Sequence, residues 1–336
     1  MQQSFSETIN KIKNNKDLGL SSNIKKTIFW FLLSFAAVIA SLELIVIIFN
    51  KLIGNPAFQD FGFTIKNGLT FFFIVFILCF LISVIKLLIS KHSAKKAYEI
   101  KIIDPNNFNN EKEEGLYNIV KAASEKANLP KMPEVGIYDS EELNAFAVGA
   151  NRKNALVAFS SSLIDLMTPD EIAAVACHEI SHIANGDMVL LTMIEASVRA
   201  LVYIIQIPLF LIQFAIRDDE KYAWLMRLLT IAFQFFVYKV SMFLGNLLLK
   251  FFSRKREFKA DSLASKLLNK EAMISALKKL KENTQLDLPE PTEEQAALAS
   301  FKIFSKSSVL DIFSTHPSIE RRIANLEQLE TNKNEK

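Results

Sequence analysis

Residues 178–182 read His178-Glu179-Ile180-Ser181-His182, the H-E-x-x-H pattern of helical zinc sites. Positions four apart share one face of an α-helix, so the two imidazoles can meet at one metal ion. Glu179, one residue after the first of them, is placed to reach a water on the open side of that metal. The pattern is short and also arises by chance on ordinary helices, so its weight depends on the surrounding chain. Only four histidines occur in 336 residues, His92, His178, His182 and His316, and that scarcity makes two at metal spacing more telling. A catalytic zinc takes three protein ligands and keeps one position for water. The third has to be a His, Asp or Glu. A metzincin would carry a histidine at position 188, where this chain has Met188, which excludes that class. His92 sits among lysines, so a glutamate further along is the natural candidate.

The element that must carry the motif has a legible beginning. In Thr168-Pro169-Asp170-Glu171, Thr168 can cap, Pro169 suits the first helical position and Glu171 completes a capping box. The alanines before His178 allow close packing, and Gly186-Asp187 loosens or ends the helix. Cys177 precedes a ligand by one position and points elsewhere on the helix, so it is read as packing rather than as a ligand. Upstream, Glu111 to Asn128 reads as an amphipathic helix with Leu116, Ile119, Val120 and Ala123 on one face. Residues 134–138 and 155–159 read as strands, with Asn144 to Gly149 and the turn residues 151–153 between them. An edge strand beside a zinc helix can hold a peptide by backbone pairing, here along 155–159; a plain structural hairpin is an equal reading.

Composition sets the wider frame. Half of the residues are hydrophobic, 28 are phenylalanine, and the net charge is +3, so no global basic signal for nucleic acid exists. Two cysteines are too few for a disulfide framework. The apolar residues fall in runs at about 28–49, 70–90, 188–216 and 223–252, each at least the ~20 residues that a bilayer core requires. Glu195 and Arg199 lie four apart within the third run and can offset each other, whereas Lys239 sits mid-run in the fourth. The division that follows is a polar arm at 1–26, two transmembrane helices within 27–90, a first catalytic part at 91–187, a hydrophobic hairpin at 188–252, a second catalytic part at 253–329 and a flexible tail at 330–336. Arg254 to Leu268 and Ala272 to Glu282 read as separate helices, and the acidic 284–297 stretch as a loop. Lysines flank the first pair of runs on its outer sides, and Lys250, Arg254, Lys255 and Arg256 follow the last. The positive-inside rule then puts the N-terminus and both catalytic parts in the cytoplasm.

Ser253-Arg254-Lys255-Arg256-Glu257-Phe258-Lys259-Ala260-Asp261 resembles the R-x-x-E-x-x-A-D segment of the HtpX-like membrane metalloproteases, relatives of the CAAX prenyl proteases. The likeness extends to the N-terminal spans, Leu143 to Ala147, the H-E-x-x-H with Gly186-Asp187, the hydrophobic pair, and Thr315-His316-Pro317 with Arg322. It implies Glu257 as third zinc ligand beside His178 and His182, and Asp261 as a carboxylate behind a ligand imidazole. It implies substrate contacts at Asn144, Ala145 and Phe146, and an oxyanion-orienting role for His316 and Arg322. On their residues alone, Asn144 reads better as a turn former, His316 as a cap and Arg322 as a surface charge, and the resemblance is what favours the site roles. The expected fold is mainly α with a small β-sheet, a multi-span membrane protein with a cytosolic, gluzincin-like catalytic domain in the plasma or inner membrane. The expected activity is zinc-dependent cleavage of misfolded or damaged membrane proteins, with Zn2+ as cofactor, one per chain, and polypeptides and the lipid bilayer as partners. The alternatives are a non-catalytic zinc-containing scaffold and a prenyl-protein C-terminal protease.

Overall fold

A computed structural model describes residues 4–15, 65–215, 222–283 and 317–331. The first apolar run, the acidic 284–297 stretch, His316 and the end of the tail lie outside the described residues. The chain divides into two compact units, one of residues 1–23, 86–191 and 250–336, the other of 24–85 and 192–249.

In the first unit a four-stranded sheet is the frame. Its strands are β1 (Lys101–Ile102), β2 (Glu134–Tyr138), β3 (Ala145–Asn151) and β4 (Asn154–Ser160), in the order β1-β2-β4-β3. β2 and β4 are parallel; β1 and β3 pair antiparallel with their neighbours. Two expectations are corrected here. Residues 145–151, read as a connection, form a strand, because small residues and Gly149 let the backbone close on β4. At Gly149 (φ 150°) a Cβ would collide with the Asn154 carbonyl, so the bulge between 149 and 151 requires glycine. For the same reason 155–159 is not an edge. β4 is paired on both sides, and the edge strands among the described residues are β1 and β3.

Both faces of the sheet are covered. Ala145, Ala147, Val157 and Phe159 face a core built with α3 (Glu111–Lys126) and α5 (Pro169–Asn185). Phe146, Val148 and Leu156 face a second cluster with Tyr98 and Tyr138. Between β4 and α5 lies the short α4 (Ser161–Leu166). α5 is buried along nearly its whole length, and its alanines permit that closeness. The capping box forms as the sequence predicts: Thr168 Oγ1 accepts from the Glu171 N–H and Glu171 Oε2 from the Thr168 N–H. Glu171 also accepts from Ser275 Oγ at 2.6 Å, which ties the start of α5 to α8 (Lys270–Asn283).

Part of the polar arm is helical. α1 (Phe5–Asn14) buries Ile12 and lays Phe5 over Gly115 of α3. Thr8 and Lys11 donate to Asp170 at the start of α5, at 2.5 and 2.7 Å. Asn15 Nδ2 donates to the carbonyls of Leu267 and Leu268 at 2.9 and 3.0 Å.

The apolar runs are helical where they are described. α2 (Ile65–Ala97) and α7 (Ala223–Leu267) are long and apolar enough to cross a membrane. Large apolar side chains are exposed around α7, among them Phe235 and Phe236, and along one broad face of α2 that includes Phe73, Ile74 and Leu78, away from the buried Val75, Cys79 and Ser83. Apolar exposure on this scale fits a bilayer and would be costly in water. α6 (Asp187–Ala215) contains the anticipated Glu195–Arg199 pair at 2.7 Å. Lys239 lies 5.1 Å from the ring centre of Phe235, a cation–π contact. α7 is one 45-residue helix: the fourth apolar run and the segment read as a separate helix from Arg254 are continuous. No glycine or proline interrupts 246–267, so the backbone has no reason to break. The last described helix is α9 (Ile319–Thr331).

Burial alone would raise the Glu171 carboxyl pKa, but the Ser275 hydroxyl, the Thr168 N–H and the Lys279 ammonium overcome it and hold the group below its ordinary value. A depressed carboxyl contributes stability above its unfolded pKa, about 4.3, and loses that contribution as pH falls through the lower folded value. Glu171→Gln keeps an acceptor for the Thr168 N–H but loses the charge, so it is expected to cost about 1 kcal/mol at pH 7, the scale by which a hydrogen bond to a charged group exceeds a neutral one, and almost nothing at the acid end. Denaturant unfolding of the detergent-solubilised protein from pH 7 down to about pH 2, so as to pass the lower folded value, reads the difference.

Candidate metal centre

α5 presents both histidines to the same point. Their Nε2 atoms are 3.1 Å apart, and the rings meet edge-on at 88°. Glu257, on α7, closes the triangle: its two carboxylate oxygens each lie 3.4 Å from one of these nitrogens. One ligand atom from each of the three residues lies within 4.8 Å of the others. Tetrahedral zinc with bonds of ~2.0–2.1 Å separates its donors by about 3.3 Å, so the spacing fits such an ion.

Charge points the same way. Glu179, Asp187, Glu257 and Asp261 are buried carboxylates, Arg322 is a buried guanidinium, and Arg256 lies 3.9 Å from Asp187. With the imidazoles neutral, these four negative and two positive groups leave an excess of two negative charges. Burying an uncompensated charge costs several kcal/mol, and a divalent cation removes the excess. The imidazoles respond to the same field. Burial would lower both pKa values; instead Asp261 and Glu257 raise that of His178, and Asp187 and Glu257 push that of His182 up to about 10. Burial moves Glu179 upward, against the pull of the two imidazoles.

The other nitrogen of each ring is held as well. His178 Nδ1 lies 2.9 Å from Asp261 Oδ1, and His182 Nδ1 2.7 Å from Asp187 Oδ2. A ligand imidazole with its second N–H on a carboxylate has a fixed tautomer and orientation. Arg322 in turn grips Asp261 with two bonds, Nε to Oδ2 at 2.8 Å and Nη2 to Oδ1 at 2.6 Å, and its Nη1 is 3.7 Å from Glu257 Oε2. Arg322 is thus not a surface charge of α9: it is fully buried, with its fork engaged by carboxylates. The guanidinium also keeps the Asp261 carboxyl low against burial.

The structure therefore brings His178, Glu179, His182, Glu257, Asp261 and Arg322 together. Asn144, Ala145 and Phe146 are fully or almost fully buried at the start of β3. Asn144 Nδ2 donates to Glu142, and its N–H to Ser160 Oγ. His316 lies outside the described residues. Cys177 faces the core, its thiol pushed up to about 12 by burial, and is no ligand. Asp187 was missed. Its signal is a carboxylate five residues after His182, behind a glycine that can turn the chain back.

Peptidase family M48 matches residues 110–330. Protease HtpX of Tolumonas auensis is 39% identical over 251 residues, covering 74% of this chain and 82% of that protein. Protease HtpX of Pasteurella multocida is 38% identical over 250 residues, covering 74% and 83%. This chain belongs to peptidase family M48. The crystal structure of S. mikatae Ste24p shares the fold, with a TM-score of 0.50 at 16% identity, over 91% of this chain and 67% of that one. As an M48 member the chain is a membrane-bound metallopeptidase, a hydrolase acting on polypeptides, and its triad of donors can hold the metal that such chemistry needs.

In this M48 peptidase, Arg322→Met removes the guanidinium and leaves Asp261 and Glu257 buried without it. The expected loss is about 3–5 kcal/mol. Arg322→Lys keeps the charge without the fork and falls between. Chemical denaturation of the chelator-treated protein measures both.

Proposed function

We propose that the chain is a zinc endopeptidase of the membrane that cleaves misfolded or damaged membrane proteins on the cytoplasmic side. The observation that carries the catalytic part is Glu179. It is 1% exposed, adjacent in sequence to one ligand, and its Oε1 has no hydrogen-bond partner among the described residues. A buried carboxylate oxygen left open beside three metal donors is suited to take a proton, and a purely structural zinc site has no use for it. That counts against the scaffold reading.

When bound, zinc supplies a water whose pKa falls from about 15.7 towards about 7 and polarises the scissile carbonyl. The protein side chains do the rest. Glu179 removes the water proton and returns it to the leaving amine nitrogen; burial raises its pKa, which strengthens it as a base and so as an acceptor of that proton. The substrate backbone pairs with the open side of β3, beginning at Asn144, Ala145 and Phe146, in the manner of an added strand. Asp261 and Arg322 hold the ligands, so Arg322 acts on the reaction through positioning, and the oxyanion-facing role rests on His316.

The orientation has support in α1. It precedes the first apolar run and packs on α3 and α5, which supports the reading that the N-terminus and the catalytic unit share one side of the membrane. The lysine distribution makes that side the cytoplasm. Exposed apolar surface on α2 and α7 makes lipid a partner and favours substrates presented by the bilayer.

Glu179→Gln is expected to retain one zinc per chain by elemental analysis yet lose casein cleavage in detergent by about 10²–10⁴-fold. Full cleavage by that variant would remove Glu179 from the chemistry. His182→Ala is expected to lose the metal itself. Preference for a prenylated C-terminal peptide over casein would favour the prenyl-protein alternative.

A further inference from the structure

The turn after α5 has a consequence for the metal centre. α5 ends at Asn185, Gly186 adopts a left-handed conformation (φ 72°, ψ 30°), and α6 starts at Asp187. A one-residue connection of this kind is open to glycine at little cost. It bends the chain so that the first residue of α6 lies against the last turn of α5, where Asp187 Oδ2 meets His182 Nδ1 at 2.7 Å. Asp187 is 5% exposed. Arg256, the residue before Glu257, places Nη1 3.9 Å from the same carboxylate oxygen and donates to Ser253 Oγ through Nη2. The carboxylate behind the imidazole repeats the arrangement at His178, where Asp261 holds Nδ1; the arginine behind it differs, since Arg322 hydrogen-bonds Asp261 twice and Arg256 stands at ion-pair distance.

We propose that Asp187 is a positioning residue of the metal centre. It accepts the Nδ1–H of His182, fixes the ring so that Nε2 faces His178 and Glu257, and is itself steadied by Arg256. Each of the two ligand imidazoles is then backed by a carboxylate and each carboxylate by an arginine. The consequence is structural as well as chemical. Asp187 opens α6 as Glu257 and Asp261 close α7, so both helices of the apolar hairpin contribute residues to the centre. The competing assignment is that Asp187 serves only as an acidic first-turn residue of α6, favourable near the helix N-terminus. That role would act on stability and leave the metal alone.

The inference rests on the zinc reading above, and the test keeps the two apart. The wild-type protein, Asp187→Ala, Asp187→Asn and Glu257→Ala are purified in detergent, loaded with zinc and challenged with a chromogenic chelator. Cobalt-substituted samples give visible spectra, and the zinc-free proteins give melting curves. Asp187→Ala is expected to release zinc about 10–100-fold faster than wild type and to shift the cobalt bands. Asp187→Asn, whose amide oxygen still accepts from Nδ1–H without the charge, is expected to fall between. If Asp187→Ala does not fold, Asp187→Asn against wild type carries the comparison. Unchanged zinc release and cobalt spectra beside a lowered zinc-free melting point would overturn the proposal and leave the helix-start role. Zinc retention unaffected by Glu257→Ala would instead contradict the ligand set, and that failure is visible whatever Asp187 does.

Discussion

Arg322 and Asp261 are joined by two short hydrogen bonds with neither side chain exposed. Neither charge could remain there alone, and the metal centre is assembled around the pair. Asp261 orients His178, the guanidinium reaches Glu257, and the resulting cluster still carries more negative than positive charge. That surplus gives the site its chemical character. It favours a divalent cation over an apolar or neutral ligand, and the Glu179 carboxylate keeps an oxygen, Oε1, without a hydrogen bond among the described residues. Stability and function draw on the same buried charges, so a change made to one is felt in the other.

Three helices distant in sequence meet in this cluster: α5 with the histidines, α7 with Glu257 and Asp261, and α9 with Arg322. They are held by apolar packing and by caps at their ends. The start of α5 is fastened twice, by Glu171 to Ser275 of α8 and by Asp170 to Thr8 and Lys11 of α1. Asn15 fastens α1 to the end of α7. The N-terminal helix thus bridges the two elements that carry the metal donors, a use of the polar arm that goes beyond membrane orientation.

Much of the site was legible because its signals are local. The H-E-x-x-H spacing, the capping box at Thr168 and the Glu195–Arg199 pair depend on residues three or four apart, and helix geometry converts such spacings directly into contacts. Glu257 and Asp261 were reached through a resemblance, since nothing local joins position 257 to position 178. Long-range partners were the weak point. Arg322 reads as an ordinary surface charge on an amphipathic helix until tertiary packing buries it. Asp187 needed the left-handed turn at Gly186 to be seen. In the sheet, alternation marks β4 as a strand without saying whether its neighbours lie on one side or both. Small residues at 145–149 hid the strand that pairs with it, so residues 155–159 read as an edge although both of their sides are paired. The continuity of α7 was hidden for another reason: a change from apolar to basic composition after Phe252 marks a change of environment, which a single helix can pass through unbroken.

The central claim is that His178, His182 and Glu257 together hold one zinc ion. X-ray absorption at the zinc edge, on purified protein in detergent, addresses it directly. The account predicts a first shell of nitrogen and oxygen only, at ~2.0–2.1 Å, with the outer-shell scattering of two imidazoles, and with the oxygen contribution reduced in a Glu257→Ala sample. A sulfur neighbour at ~2.3 Å, or a shell containing a single imidazole, would contradict it.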